Sequence, residues 1–357
     1  MFNAKMLELA RKLRGIAKTE MSEKLNLSIQ TLSEWEQGKT VPKLENLREV
    51  ANLLKFPVEF FYKETENLDN LNMSFRALTK MKAVDRDKAI SSAKMGIILN
   101  HWMEQKFNLP TVDLPKFENL SPEECAMQIR RMWNLDECIN NTINLLEKHG
   151  VRVFSLIEDC KDYDALSTWS NGCPYIFINT TKSAERCRFD AMHELGHLVM
   201  HYNRTDRDRT MEDEANRFAS EMLMPMSSIL KYKNISLNLN SFINIKIQWK
   251  VSLSALIYRY NKLGIITEWN NRSLNIQLRK LGYDEKEPKS IERETSTILP
   301  KIFKYLKQDN FTIRDLSNEL KINTEDLNKL MFNMFSLSVI YGGNEKTQKE
   351  KPDLRLI

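Results

Sequence analysis

The 357-residue sequence has no apolar run approaching the roughly 20 residues that a membrane-spanning helix requires. Its opening residues, MFNAKMLELARK, lack the apolar core of a signal segment. A cytoplasmic chain without a membrane partner is expected. Cysteine is scarce: five residues, at 125, 138, 160, 173 and 187, odd in number and without a C-x-x-C pair. That excludes a disulfide frame and a zinc ribbon and fits reduced thiols. A strong charge of one sign is also missing. The net charge of +5 permits nucleic-acid binding without demanding it. Histidine is rarer still in distribution than in number. There are five, and three of them, His193, His197 and His201, fall within nine residues.

What is present begins there. The stretch DAMHELGHLVM, residues 190–200, contains H-E-x-x-H at His193, Glu194 and His197. Residues four apart share a helix face, about 6 Å along the axis. Two imidazoles so placed can hold one zinc ion, and Glu194 between them can act as general base toward a water. At roughly 100° per residue, Ala191, Met192, Leu195, Leu198 and Val199 share one arc, and His193 and His197 lie opposite. The helix thus has a core face and a separate site face.

A catalytic zinc usually has three protein ligands. His201 is about 12 Å from His193 along the axis, too far to share the ion. The downstream segment MEDEANRFASEMLMP, residues 211–225, is a second amphipathic helix. Met211, Ala215, Phe218, Ala219, Met222 and Leu223 form its buried arc. Asp213, Glu214, Arg217 and Glu221 read as its solvent face. Glu212 and Asn216 border the buried arc, one turn apart. Glu212 is therefore the expected third ligand and Asn216 a partner that orients a ligand imidazole.

HELGH followed by EDEANRFASEMLMP resembles the ImmA/IrrE family of zinc metallopeptidases. The resemblance implies a gluzincin-like site, with one zinc on His193, His197 and Glu212 and the base at Glu194. It also implies cleavage of a protein substrate of the DNA-bound repressor kind.

The first 64 residues read as five helices: Met6 to Arg14, Thr19 to Leu25, Ile29 to Gln37, Leu44 to Leu54 and Val58 to Tyr62. Asn26 suits a left-handed turn, Ser28 an N-cap and Gly38 a helix stop. This is a helix-turn-helix pattern. SEKLNLSIQTLSEWEQGKTVP resembles the core of the XRE (Cro/CI-type) DNA-binding domain, with Leu25, Leu27, Leu32, Trp35, Glu36, Gly38 and Pro42 in characteristic places. Leu32 and Trp35 are then core. The outward side chains of the third helix are Gln30, Thr31, Ser33 and Glu34. Gln can pair bidentately with adenine, and Ser or Thr can meet several base edges. Lys18, Lys39 and Lys43 are candidate phosphate contacts, which position without reading sequence. Eleven Lys/Arg against nine Asp/Glu leave this segment at only +2.

Further on, residues 65–115 form a polar then helical linker, with Val84 to Lys106 as a connecting helix and a candidate homodimer contact. The two prolines of LPTVDLP mark its end. Residues 116–285 form the peptidase domain. Ser121 caps a helix to Met132, a helix spans Ile139 to His149, and three strands follow near 150–156, 165–169 and 175–179. SNGCP turns between the last two. Such a sheet offers an edge to which a peptide backbone can add. RTDRDR, residues 204–209, reads as a loop. Residues 241–267 return to helix, residues 286–341 form a C-terminal helical region resembling a helix-turn-helix or winged helix, and 342–357 are a polar tail. The fold class is mainly α with a small β-sheet.

Taken together, the expected function is a DNA-binding transcriptional regulator with a zinc-dependent endopeptidase domain. It binds a double-stranded operator and cleaves a repressor or antitoxin-like partner in a stress or mobile-element circuit. The alternative is a DNA-binding regulator whose zinc site is structural or ligand-sensing, without appreciable proteolysis.

Overall fold

Apolar spacing and caps lay out the N-terminal helices in the computed structural model, which describes residues 1–64, 82–135, 137–157, 163–203 and 208–335. Asn3 caps α1 (Ala4–Leu13), whose Met6, Leu7, Ala10 and Leu13 are fully buried. Then come α2 (Lys18–Lys24), α3 (Ile29–Glu36) and α4 (Leu44–Leu54). Asn26 turns the chain between α2 and α3 at φ 49°, and Ser28 accepts the N–H of Thr31 to cap α3. The fifth helix expected at Val58–Tyr62 is a 3-10 turn, fixed by Pro57 at its start and by the burial of Phe60 and Phe61. Asn3 N–H donates to Phe61 O (2.7 Å), closing the segment on itself.

The long helix α5 (Ala83–Lys106), read in the sequence as a connector, is buried along most of its length and packs on α1. Its preceding segment, 65–81, and the C-terminal tail lie outside the described residues. Two compact units emerge. One takes Met1–Pro110, Phe154–Tyr163 and the chain from Ser296 onward, and the other takes Thr111–Val153 and Asp164–Thr295.

The second unit carries α6 (Pro122–Met132), entered through a full capping box at Ser121 and Glu124, as SPEE predicts. Next is α7 (Thr142–Lys148), three residues shorter at its start than expected. Asn141 caps it, and the carbonyls of Glu137 and Ile139 are taken by Arg130 and Arg188 instead of by helix. The strands are β1 (Arg152–Ser155), β2 (Ala165–Ser170) and β3 (Cys173–Ile178), ordered β1-β3-β2. β2 and β3 pair antiparallel from Ala165↔Ile178 to Ser170↔Cys173. Asn171 (φ 49°) and Gly172 (φ 76°) make the two-residue turn, whose positive angles match the twist of the strands.

Two helices then lie side by side: α8 (Ala184–Met200) and α9 (Arg209–Leu223). Asp208 caps α9, so the loop expected at 204–209 ends one residue early; 204–207 lie outside the described residues. The unit closes with α10 (Met226–Ile229), α11 (Leu239–Trp249), α12 (Leu253–Lys262) and α13 (Glu268–Lys280).

Helix was expected from residue 286. The chain is irregular there instead, and helix resumes at α14 (Ile298–Leu306). Ion pairs hold the irregular strap down. Lys246, fully buried, meets Glu185 (2.9 Å) and Glu287 (3.0 Å), and Arg188 pairs with Glu294. In the first unit, α14 is followed by α15 (Ile313–Leu320) and α16 (Thr324–Leu330), joined through left-handed Lys321. The Arg14 guanidinium clasps Asp326 (3.0 and 2.5 Å), and Trp102 Nε1 donates to Glu319 (2.6 Å), so these helices are packing elements of that unit. No helix among the described residues is long and apolar enough to cross a membrane.

Candidate metal centre and nucleic-acid interface

The close approach of α8 and α9 is written into a glycine. A Cβ at Gly196 would stand 3.0 Å from Cδ1 and 3.2 Å from Cγ of Phe218, a fully buried ring of α9. With no Cβ there, α9 comes near enough for its first turn to face the histidines of α8. His193 Nε2 and His197 Nε2 lie 3.1 Å apart. Glu212 Oε2 is 3.3 Å from His193 Nε2, and Glu212 Oε1 is 3.4 Å from His197 Nε2. These residues form a group in which every ligand atom lies within 4.8 Å of the others. His201 does not enter it.

The donor set fits a metal ion. Ligand bonds of about 2.0–2.1 Å in a tetrahedron put neighbouring ligand atoms about 3.3 Å apart, the spacing found here. Glu212 Oε1 is buried with no hydrogen-bond partner, an arrangement that is costly unless a cation meets it. Burial opposes charge on Glu212, but the two imidazoles facing it prevail and hold its carboxyl far below the usual carboxylate range. Two imidazoles and one carboxylate suit zinc.

The surroundings of the cluster are defined. Asn216 Oδ1 lies 3.0 Å from His193 Nδ1, although Asn216 itself is an exposed residue. His197 Nδ1 lies 2.9 Å from His201 Nδ1, and His201 Nε2 lies 2.9 Å from Glu214 Oε2. Glu194 is buried, and Ser167 Oγ of β2 donates to its Oε2 (2.5 Å). Two hydrogen bonds fix β2 here. Ser167 and Trp169, two residues apart, meet Glu194 and Leu198, four apart on α8; Trp169 Nε1 donates to Leu198 O (3.2 Å). A two-residue strand step of about 6.6 Å matches one helical turn of about 6 Å.

Of the side chains read as solvent-facing, one is buried and another is only partly exposed. Glu221 is buried, ion-paired with Arg259, and accepts the N–H of Met226 (3.0 Å). Glu214 is engaged by His201. The helical wheel sets Glu221 outward; α12 covers that arc, which no local pattern encodes. Tyr202 Oη donates to Glu118 (2.6 Å), and His201 lies between His197 and Glu214. Ser167 was missed by sequence reasoning, and only its place two residues before Trp169 in a strand could have flagged it. A cavity of about 950 Å³ lies beside α8, α9 and α12, with Phe189, Asn216, Tyr258 and Arg259 in its lining; none of His193, Glu194, His197 and Glu212 lines it.

In the first unit, α3 buries Leu32 and Trp35 as expected and leaves Gln30 exposed and Thr31, Ser33 and Glu34 half-buried. Gln30 Nε2 donates to Glu34 (3.0 Å), which fixes its amide on the open face. Lys39 and Lys43 are exposed. Lys18 is held 3.0 Å from Glu36, a buried carboxylate that also takes two hydrogen bonds from Arg11.

Comparison with known families agrees with both halves. Residues 7–61 match the helix-turn-helix family, and residues 146–261 match the IrrE N-terminal-like domain, a peptidase family. The two matched segments stand in one polypeptide, an XRE-type helix-turn-helix match followed by an ImmA/IrrE-like match. A comparison with curated proteins returns no match.

Proposed function

We propose that this protein is a DNA-binding regulator whose second unit is a zinc-dependent endopeptidase acting on a protein partner of the repressor or antitoxin kind. The observation that carries the reading is the meeting of His193, His197 and Glu212 at tetrahedral spacing. Zinc held there supplies Lewis-acid polarisation of a carbonyl and acidifies water. His193 and His197 present the ring nitrogens, and Glu212 supplies the charge that makes the site selective for a cation. Asn216 orients His193. Glu194, kept in place by Ser167, takes a proton from the attacking water and returns it to the leaving amine. A purely structural metal site has no use for Glu194, which favours turnover over a structural or ligand-sensing role.

The helix-turn-helix domain binds a double-stranded operator. Gln30 reads a base edge, with Thr31, Ser33 and Glu34 beside it, and Lys39 and Lys43 touch phosphate. Lys18 contributes from its pairing with Glu36. Two-fold operators imply a homodimer.

The test is metal content of the wild type beside His197→Ala and Glu212→Ala, with proteolysis of proteins encoded by neighbouring genes followed in parallel. About one zinc per chain is expected, lost in both variants. Cleavage disappears in Glu194→Gln while the metal stays. Zinc without cleavage of any neighbour moves the assignment to the regulator reading, and absence of zinc from wild type ends the metal reading. For the DNA half, Gln30→Ala abolishes the shift of a native promoter fragment; a wild type that selects no fragment refutes operator binding.

A further inference from the structure

We infer that His201 and Glu214 are positioning residues that fix the tautomer of His197 and so prepare its Nε2 to hold the metal. The inference rests on the metal reading above and extends it to two residues outside the ligand set.

An ionised carboxylate only accepts hydrogen bonds. Glu214 Oε2 is 2.9 Å from His201 Nε2, so that nitrogen carries the proton. In neutral His201 the other nitrogen, Nδ1, is then an acceptor. It faces His197 Nδ1 at 2.9 Å, and His197 must therefore carry its own proton on Nδ1. That leaves His197 Nε2 with its lone pair in the plane of the ring, on the side where His193 Nε2 and Glu212 lie. A single orientation of hydrogen bonds, from His197 to His201 to Glu214, satisfies all three groups. The reverse orientation puts the proton on His197 Nε2 and blocks the site.

Placement supports the role. His201 is buried at the C-cap of α8, and its N–H donates to His197 O (3.0 Å), which holds the two rings one turn apart. Glu214 is partly exposed on α9, two residues from Glu212. The first turns of α9 thus supply one carboxylate in front of the imidazole row and one behind it. Partners of this kind typically change metal affinity by about 10–100-fold when removed.

The test compares His201→Leu, His201→Asn and Glu214→Gln in the full chain, with zinc affinity measured by competition against a chromogenic chelator. Asn Oδ1 stands where His Nδ1 stood and can accept from His197, whereas Leu fills the space and accepts nothing. The expected result is about 10–100-fold weaker zinc binding for His201→Leu and recovery of most of that loss in His201→Asn. Glu214→Gln, whose amide can also donate and so removes the directional bias, weakens binding by about 10-fold. Imidazole ¹H–¹⁵N correlation of the zinc-loaded wild type shows the proton on Nδ1 of His197 and Nε2 of His201. A residue that merely fills the core gives the opposite ranking, Leu at least as good as Asn, and that ranking overturns the inference. So does wild-type affinity in both His201→Leu and Glu214→Gln. Should His201→Leu fail to fold, Glu214→Gln at its part-exposed position and His201→Asn still decide. A wild type without zinc affinity defeats the underlying metal reading and this inference with it, whereas a zinc-binding wild type with unaffected variants defeats the inference alone.

Discussion

Ser167 donates a hydrogen bond to Glu194 across the gap between β2 and α8, joining the sheet to the acidic residue of the H-E-x-x-H helix. Glu194 is buried, so its carboxylate depends on the direction of its donors. A hydrogen bond to a charged group is worth about 1.5–3 kcal/mol. Ser167→Ala should lower kcat by about 10-fold or more at unchanged metal content. Steady-state cleavage and elemental analysis of the same preparation check this, and an unchanged kcat refutes the positioning role.

Gly196 sets how closely α9 lies on α8. An added methyl meets the Phe218 ring inside a packed core, and overpacking of that kind costs about 1–3 kcal/mol. Gly196→Ala should reduce the urea midpoint and also weaken zinc binding, because Glu212 travels with Phe218 on the same helix. Full stability with full affinity would show that the ring yields freely.

Arg259 and Glu221 form a buried pair between α12 and α9, and Arg259 also donates to Met224 O (3.1 Å). Removing one partner strands a buried charge at a cost of about 3–5 kcal/mol. Arg259→Met should therefore destabilise strongly in urea, and adding Glu221→Leu should restore much of the loss. If the double variant is no better than the single, the pair is not the cause.

Lys63 gives a pH signature in the first unit. Burial, then the nearby Lys321, pushes its ammonium from 10.5 down to about 8, while its Nζ donates to Leu320 O (2.7 Å). Below pH 8 the group is charged in both states and the folded state carries the cost. Between about 8 and 10.5 the folded state has released its proton and the unfolded state has not, so stability rises with pH. The difference in denaturation midpoint between wild type and Lys63→Met should grow in favour of wild type across that window. A flat difference would contradict the burial of the charge.

Much of this was legible in the chain. The helix starts at Ser28 and Ser121, the left-handed turn at Asn26, the Asn171–Gly172 hairpin and the amphipathic faces of α8 and α9 are local matters of backbone and period. Positions one helical turn apart share a face whatever surrounds them, so His193 and His197 were paired by sequence alone. The inward lean of Glu212 was legible for the same reason.

Tertiary packing decided the rest. Glu221 lies on an arc that a helical wheel sets outward, yet α12 covers it and supplies Arg259. The segment after residue 285 has ordinary helical composition, but Lys246 and Arg188 draw it out as a strap through Glu287 and Glu294. His201 has the same four-residue spacing from His197 that His193 has, and nothing local says that its far nitrogen meets Glu214. Sequence fixes what a residue can reach along its own element, at about 1.5 Å per helical residue. Which element arrives on the other side depends on the three-dimensional contact of segments far apart in the chain, and the partners of Glu194, His201 and Glu221 were determined there.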